Sequence, residues 1–242
     1  ASLTPQRGRA RPAPPAPAPA RPEAGGSRAP SELLQSLAHS LRNPLVSLKT
    51  FATLLPEQGD DEEFRGRFRE QAERDLAGLE AHLDRLTRYG EIDFGERKSV
   101  NVSSMLEGLL AEHRDEIKRR RLLVLSELGA DAPWALGSEE GLRFAFSALI
   151  DATFARIGDR QDLYLACRRP TAAGGSPMLR ILLRFHGTPL AMLPGGGEGP
   201  AALELVLAES AFEALGGRLQ HESLESGEQV ARVDLPAASA ET

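Results

Sequence analysis

Apolar residues recur at alternating steps of three and four over the stretch 34–86. Leu34, Leu41, Leu48 and Leu55 repeat every seven residues, with Leu37, Leu45 and Ala52 three or four positions after them. After a break at Pro56-Glu57-Gln58-Gly59 the pattern resumes with Phe64, Phe68, Ala72, Leu76, Leu79, Leu83 and Leu86. This is the narrow seam of a coiled coil. It predicts one helix over residues 31–55 and a second over 61–89, joined as an antiparallel hairpin. Ser31 with Glu32 suits the first helix start, and Asp60 with Glu63 can cap the second. Two such helices alone make a poor core. The seam implies a second copy, giving a four-helix bundle built by a homodimer. The alternative is a hairpin packed against the rest of its own chain.

Residues 90–98 are polar and end the second helix. Beyond them the period changes. Val100 and Val102 alternate like a short strand, and Met105, Leu106, Leu109, Leu110, His113 and Ile117 read as a helix. Residues 122–128 and 134–136 read as strands around a Gly-Ala-Asp-Ala-Pro turn, followed by an amphipathic helix over 142–154. Two alternating strands, 163–168 and 178–185, flank Gly174-Gly175-Ser176-Pro177. A helix over 201–215 ends at Gly216-Gly217, and a hairpin of 218–222 with 229–235 closes the chain. The expected fold is therefore a helical hairpin followed by an α+β sandwich, with helices on one face of a mixed sheet. The domain organisation is a linker over 1–30, the hairpin domain over 31–95, the α/β domain over 99–237 and a tail over 238–242.

Composition narrows the function classes. The chain has 242 residues, and no run of eighteen apolar ones, so no membrane span is expected. Residues 1–30 are rich in Pro, Ala and Arg with almost no large apolar side chains, and read as a solvated, semi-extended linker. The net charge of −6 argues against nucleic-acid binding. A lone cysteine, Cys167, excludes an internal disulfide, fits a reducing cytoplasm and sits in a strand-like run where an inert, buried thiol is expected. The chain opens with Ala rather than Met, which suggests the C-terminal piece of a longer protein with a sensor upstream. No metal-ligand spacing or nucleophile triad is present.

One histidine stands apart. Numbered from Leu34, the heptad puts His39 on the side away from the seam, with Asn43, Val46 and Thr50 one, two and three turns along. Pro44 removes a backbone donor beside it, so a bend is expected there. The run His39-Ser40-Leu41-Arg42-Asn43-Pro44-Leu45, continuing through Val46-Ser47-Leu48-Lys49-Thr50-Phe51, resembles the phosphoacceptor box of the two-component sensor histidine kinases, His-Glu-x-x-Asn/Thr-Pro-Leu. The order of elements after residue 99, with the ends Trp134-Ala-Leu-Gly137 and Gly216-Gly-Arg218…Val233-Asp-Leu-Pro236, is similar to the ATP-binding domain of the same family. The resemblance covers about residues 31–236. It implies His39 as phosphoacceptor, Asn43 as the residue that positions water for dephosphorylating a receiver, and Val46 and Thr50 as part of the receiver-docking surface.

The same resemblance exposes departures. The acidic residue that follows the histidine in the family is Ser40, and a serine hydroxyl is a poor base at neutral pH. The metal-holding asparagine is replaced by Asp151, in Asp151-Ala152, and an earlier asparagine by Ser147. Asp151 still offers oxygen to Mg²⁺, so it is the one residual cofactor-binding position. The adenine-reading aspartate has no counterpart in Phe185-His186-Gly187-Thr188-Pro189. The glycine run that opens the phosphate-binding helix is replaced by Pro200-Ala201-Ala202-Leu203-Glu204-Leu205, where Glu204 would repel phosphate; Gly195, Gly196, Gly197 and Gly199 lie upstream, as in a loop. The reading is a histidine kinase-like phosphotransfer protein, cytoplasmic and homodimeric, relaying phosphate between His39 and a response-regulator receiver aspartate with no cofactor of its own. Two alternatives stay open: an active sensor kinase using Mg-ATP in an unorthodox site, and a pseudokinase scaffold whose partner is an active histidine kinase. His82, His113, His186 and His221 show no partner pattern and read as structural or surface residues.

Overall fold

The computed structural model describes residues 28–58, 60–129, 134–169, 177–189 and 202–238. The Pro/Ala/Arg-rich stretch up to residue 27, Gly59, residues 130–133 and 170–176, the Gly-rich stretch 190–201 and the last four residues lie outside them.

Helix α1 spans Arg28–Gln58 and α2 spans Glu62–Glu91. Helix α1 starts three residues earlier than its sequence signals and runs through both Pro44 and Pro56. A proline removes one N–H and leaves the rest of the ladder intact, so neither ends the helix. The cap of α2 is Asp61 rather than Asp60: its Oδ1 accepts from the Glu63 N–H at 2.9 Å and the Phe64 N–H at 3.4 Å. The hairpin closes at its tip on aromatic rings, with Phe51 lying 5.9 Å from Phe64 and 5.5 Å from Phe68. Phe51 and Leu54 thus join Leu41 and Leu48 on the covered face of α1.

The seam is covered along only part of its width. Leu45 stays 55% exposed, Leu76 51% and Leu83 54%. The covered line of α2 instead passes through Asp75, Leu79, His82, Leu86 and Tyr89. The C-terminal half of α2 therefore turns one flank toward the α/β unit and leaves its leucine flank open.

The α/β unit begins with β1 (Lys98–Asn101), α3 (Val102–Glu112) and α4 (Arg114–Arg120). The single helix expected through Ile117 is broken at His113, which closes α3 and opens α4. Strands β2 (Leu123–Glu127) and β3 (Trp134–Gly137) do not pair around their turn. Instead β3 pairs antiparallel with β1, and β2 pairs parallel with β4 (Asp162–Arg168). Helix α5 (Glu139–Phe154), β5 (Met178–His186), α6 (Ala202–Ala214), β6 (Arg218–Ser223) and β7 (Glu228–Pro236) complete the unit. Among the described residues the main sheet has the order β2-β4-β5-β7-β6, mixed as expected, with every pair but β2-β4 antiparallel.

Alternation decides the layers. Leu163 and Leu165 of β4, Leu179, Ile181, Leu183 and Phe185 of β5, and Ala231, Val233 and Leu235 of β7 are buried against α5 and α6. The other face carries arginine–carboxylate pairs, among them a two-pronged contact of Arg180 with Asp234 at 2.6 and 2.9 Å. Cys167 is buried, and burial pushes its thiol up to about 12, which leaves it inert at neutral pH. Helix α6 ends at Gly216 with φ +78°, a conformation that a side chain would strain.

Candidate functional site

Two surfaces carry candidate chemistry. The first is the outer stripe of α1. His39 lies within the helix, and its side chain is outside the described residues. Along the same stripe Asn43, Val46 and Thr50 are exposed, Val46 at 55%. The Thr50 hydroxyl donates to the Val46 carbonyl at 2.9 Å, so its polar group is engaged by its own helix. The Ser40 hydroxyl donates to the Leu37 carbonyl at 3.0 Å, so it is engaged by its own helix.

The second surface surrounds Asp151, the position that the family resemblance assigns to Mg-nucleotide. Asp151 lies on α5, one turn after Ser147, on the face that meets α2 and the α3–α4 break. The Arg85 guanidinium of α2 donates from Nη2 to Asp151 Oδ2 at 2.8 Å. On the other side His113 Nε2 lies 3.4 Å from Asp151 Oδ1. The His113 ring is stacked on Phe154 with centroids 4.5 Å apart, which fixes its direction. Glu204 approaches from α6: Arg85 Nη1 is 3.6 Å and His82 Nδ1 is 3.9 Å from its Oε1. Burial alone would raise the Asp151 carboxyl, but His113 and Arg85 together outweigh it and hold the group below its ordinary range. In return the contact with Asp151 raises His113 above its ordinary range, against the opposing effect of burial.

A crevice of about 290 Å³ runs beside this cluster, between α2, α3 and α5. Its walls mix signs: Arg85, Arg88 and Arg143 face Asp84 and Glu112, with Ser147 at the base. Arg143 is already paired with Glu112.

These residues do not fit Mg-nucleotide. A metal ion at Asp151 would have to displace one guanidinium and one imidazole, and Glu204 would face the phosphates. Among the described residues no three His, Cys, Asp or Glu side chains are arranged to hold a metal ion. The turn that the resemblance aligns with the adenine-reading one is tied to the loop after α5: the Thr188 N–H donates to the Arg156 carbonyl at 3.1 Å, and the Gly158 N–H donates to the His186 carbonyl at 3.2 Å. Gly187 is a glycine for packing, since a Cβ there would lie 2.1 Å from the Arg156 carbonyl oxygen. The upstream glycines and Pro200-Ala201 lie outside the described residues.

Sequence reasoning missed Arg85 and undervalued His82 and His113. All three have carboxylate partners on elements distant in sequence. The available signal was faint: His82, Arg85 and Tyr89 fall at helical spacing on one flank of the α2 seam, where a solvated face would need no such order. His221, also read as unpartnered, has Nε2 3.1 Å from Glu209 Oε1.

The His Kinase A (phospho-acceptor) domain model matches residues 30–95. Over 133 residues the chain is 26% identical to Drug sensory protein A of Synechocystis sp., a match over 53% of this chain and 20% of that protein. The chain thus spans about a fifth of the length of this curated relative. Among solved structures, the histidine kinase AdeS of Acinetobacter baumannii matches with TM-score 0.58 at 15% identity, covering 83% of this chain and 98% of that one. The histidine kinase ThkA, in complex with the response regulator protein TrrA, matches with TM-score 0.58 at 14% identity, covering 86% of this chain and 61% of that one. At such identities these structures establish a shared fold. No helix among the described residues is long and apolar enough to cross a membrane.

Proposed function

Because the chain belongs to the two-component sensor histidine kinase family, we propose that it serves two-component signalling as a phosphotransfer protein, passing phosphate between His39 and a receiver-domain aspartate. The observation that carries this reading is the engagement of Asp151. The one oxygen donor left at the metal position of the α/β unit is held by Arg85 and His113, while Asn43, Val46 and Thr50 on the His39 stripe stay open to a partner.

The chemistry asks little of this chain. A receiver aspartyl phosphate is a mixed anhydride, and the receiver supplies its own metal ion. A neutral imidazole nitrogen of His39 forms a bond to phosphorus as the bond from phosphorus to the aspartate oxygen breaks. The carboxylate is regenerated, and the other imidazole nitrogen releases its proton to solvent. Positioning and charge stabilisation dominate such transfers. Val46 and Thr50 supply docking contacts, and Asn43 orients water when the outcome is hydrolysis. No cofactor of this chain takes part, and the partner class is the one that ThkA carries in its complex.

The reading includes a homodimer in the cytoplasm. Leu45, Leu76 and Leu83 form the uncovered flank of the hairpin and are the surface a second copy would bury.

Intact mass and acid lability test the reading. Wild type incubated with phosphorylated receivers should gain one acid-labile phosphate, His39→Gln none, and wild type with Mg-ATP alone none. Phosphate gained from Mg-ATP by wild type would make this a working kinase. A folded chain that gains phosphate from neither source would be a scaffold.

A further inference from the structure

Asp151 and Glu204 are the two carboxylates that spoil a nucleotide site, and both face α2. They come from different helices, α5 and α6, and both are partly buried. Two such anions repel each other more strongly in a partly desolvated place than in water, and the arrangement needs a cation. Buried Arg156 of the α/β unit acts on Glu204 from its own side; the cation that reaches both carboxylates is Arg85, whose planar fork extends Nη2 to Asp151 at 2.8 Å and Nη1 to Glu204 at 3.6 Å. His82, one turn earlier on α2, adds a second basic group at Glu204. An apolar contact follows one turn later. Tyr89 lies 5.7 Å from Phe144 of α5 and 5.3 Å from Phe94, and Leu86 packs on the same core. One flank of α2 thus presents basic then apolar groups, in register with carboxylates then an apolar wall.

We propose that the face of the α/β unit that would hold Mg-nucleotide has become the docking surface for the chain's own α2, with the Arg85 guanidinium where a metal ion would sit. The acidic residues at 151 and 204 then have a positive role: they are the receptor for the helix. The docked helix keeps its leucine flank outward and, together with α1, which also packs on α6, ties the α/β unit to the hairpin. This inference does not depend on phosphate reaching His39, and its test reads no phosphate.

Hydrogen–deuterium exchange of the full chain, read over α2 residues 80–91, decides it. Arg85→Met and Asp151→Asn should each speed exchange there by roughly tenfold. The double variant should be no faster than the faster single one, because both remove the same contact. Arg88→Met, three residues along and lining the crevice with no ion pair to a carboxylate among the described residues, should leave the protection unchanged. Asp151→Asn is isosteric and lies across the interface, so it keeps the test valid if Arg85→Met lowers the helical circular dichroism. Mg-ADP at millimolar concentration should not alter the protection of α2 in wild type. Wild-type exchange rates in both single variants, or multiplying effects in the double variant, would overturn the proposal. So would deprotection of α2 by Mg-ADP, since the face would then still belong to a nucleotide.

Discussion

One methyl group at residue 187 separates a packing glycine from a nucleotide-site relic. A Cβ at Gly187 would meet the Arg156 carbonyl carbon and oxygen and the Ile157 Cα, all backbone atoms that cannot rotate away. Gly187→Ala should therefore cost about 1–3 kcal/mol in urea unfolding. The ion cluster makes a second prediction at this scale. The Asp151 carboxyl is depressed in the folded chain, so its contribution is present above the ordinary carboxyl range and is lost as pH falls through the folded value. His113 is raised from its ordinary 6.5, so its contribution is full below that value and is lost as pH rises through the higher folded one. Arg85, His82, Glu112, Glu116 and Glu204 surround the pair, and both contributions operate together only in the mildly acidic window between the two limits. Thermal stability should peak there. His113→Gln should abolish the fall on the alkaline side of the peak, and Asp151→Asn should abolish both flanks of this contribution.

Among the elements, α2 does the most. Its centre line, through Phe68, Ala72, Leu79 and Leu86, has a flank on either side. One flank carries His82, Arg85 and Tyr89 and lies against the α/β unit; the other carries Leu76 and Leu83 and is open. The heptad reading placed Leu76 and Leu83 in the seam because periodicity locates an apolar stripe and does not say which edge of it a given partner covers. Both alternatives raised by the sequence thus have a surface on the same helix: a hairpin against its own chain on the basic flank, and room for a second copy on the leucine flank. Leu76→Glu with Leu83→Glu should shift sedimentation from dimer to monomer while helical circular dichroism stays constant. Phe64→Ala, which empties a site only 4% exposed at the hairpin tip, should cost about 3 kcal/mol in unfolding free energy.

For the whole molecule, the two units are joined by a covalent linker of a few residues and by a mixed ionic and apolar contact. A ligand that binds the native state at a hundredfold excess over its dissociation constant adds about 2.7 kcal/mol of stability. Mg-ADP should add none here, and the melting temperature of the full chain should be the same with and without it. Raised salt should weaken the tie between the units, because its charges are only partly buried.

What the sequence determined by itself was local or periodic: the hairpin from a three-four repeat, the strands from alternation, the fold class from their order, and the phospho-acceptor domain from a contiguous motif around His39. The departures from the family pattern at Asp151, at the 185–189 turn and at Glu204 were equally visible, because each is a residue in a known place. What those residues do now was decided by tertiary structure. Strand β3 left β2 for β1, a choice of partner that no local pattern encodes. Arg85 and Asp151 are 66 residues apart, and each alone is an ordinary charged residue on an amphipathic helix. Only the packing of the hairpin on the α/β unit, α1 and α2 together against α6, puts them within 2.8 Å, and only the desolvation of that packing makes the contact matter.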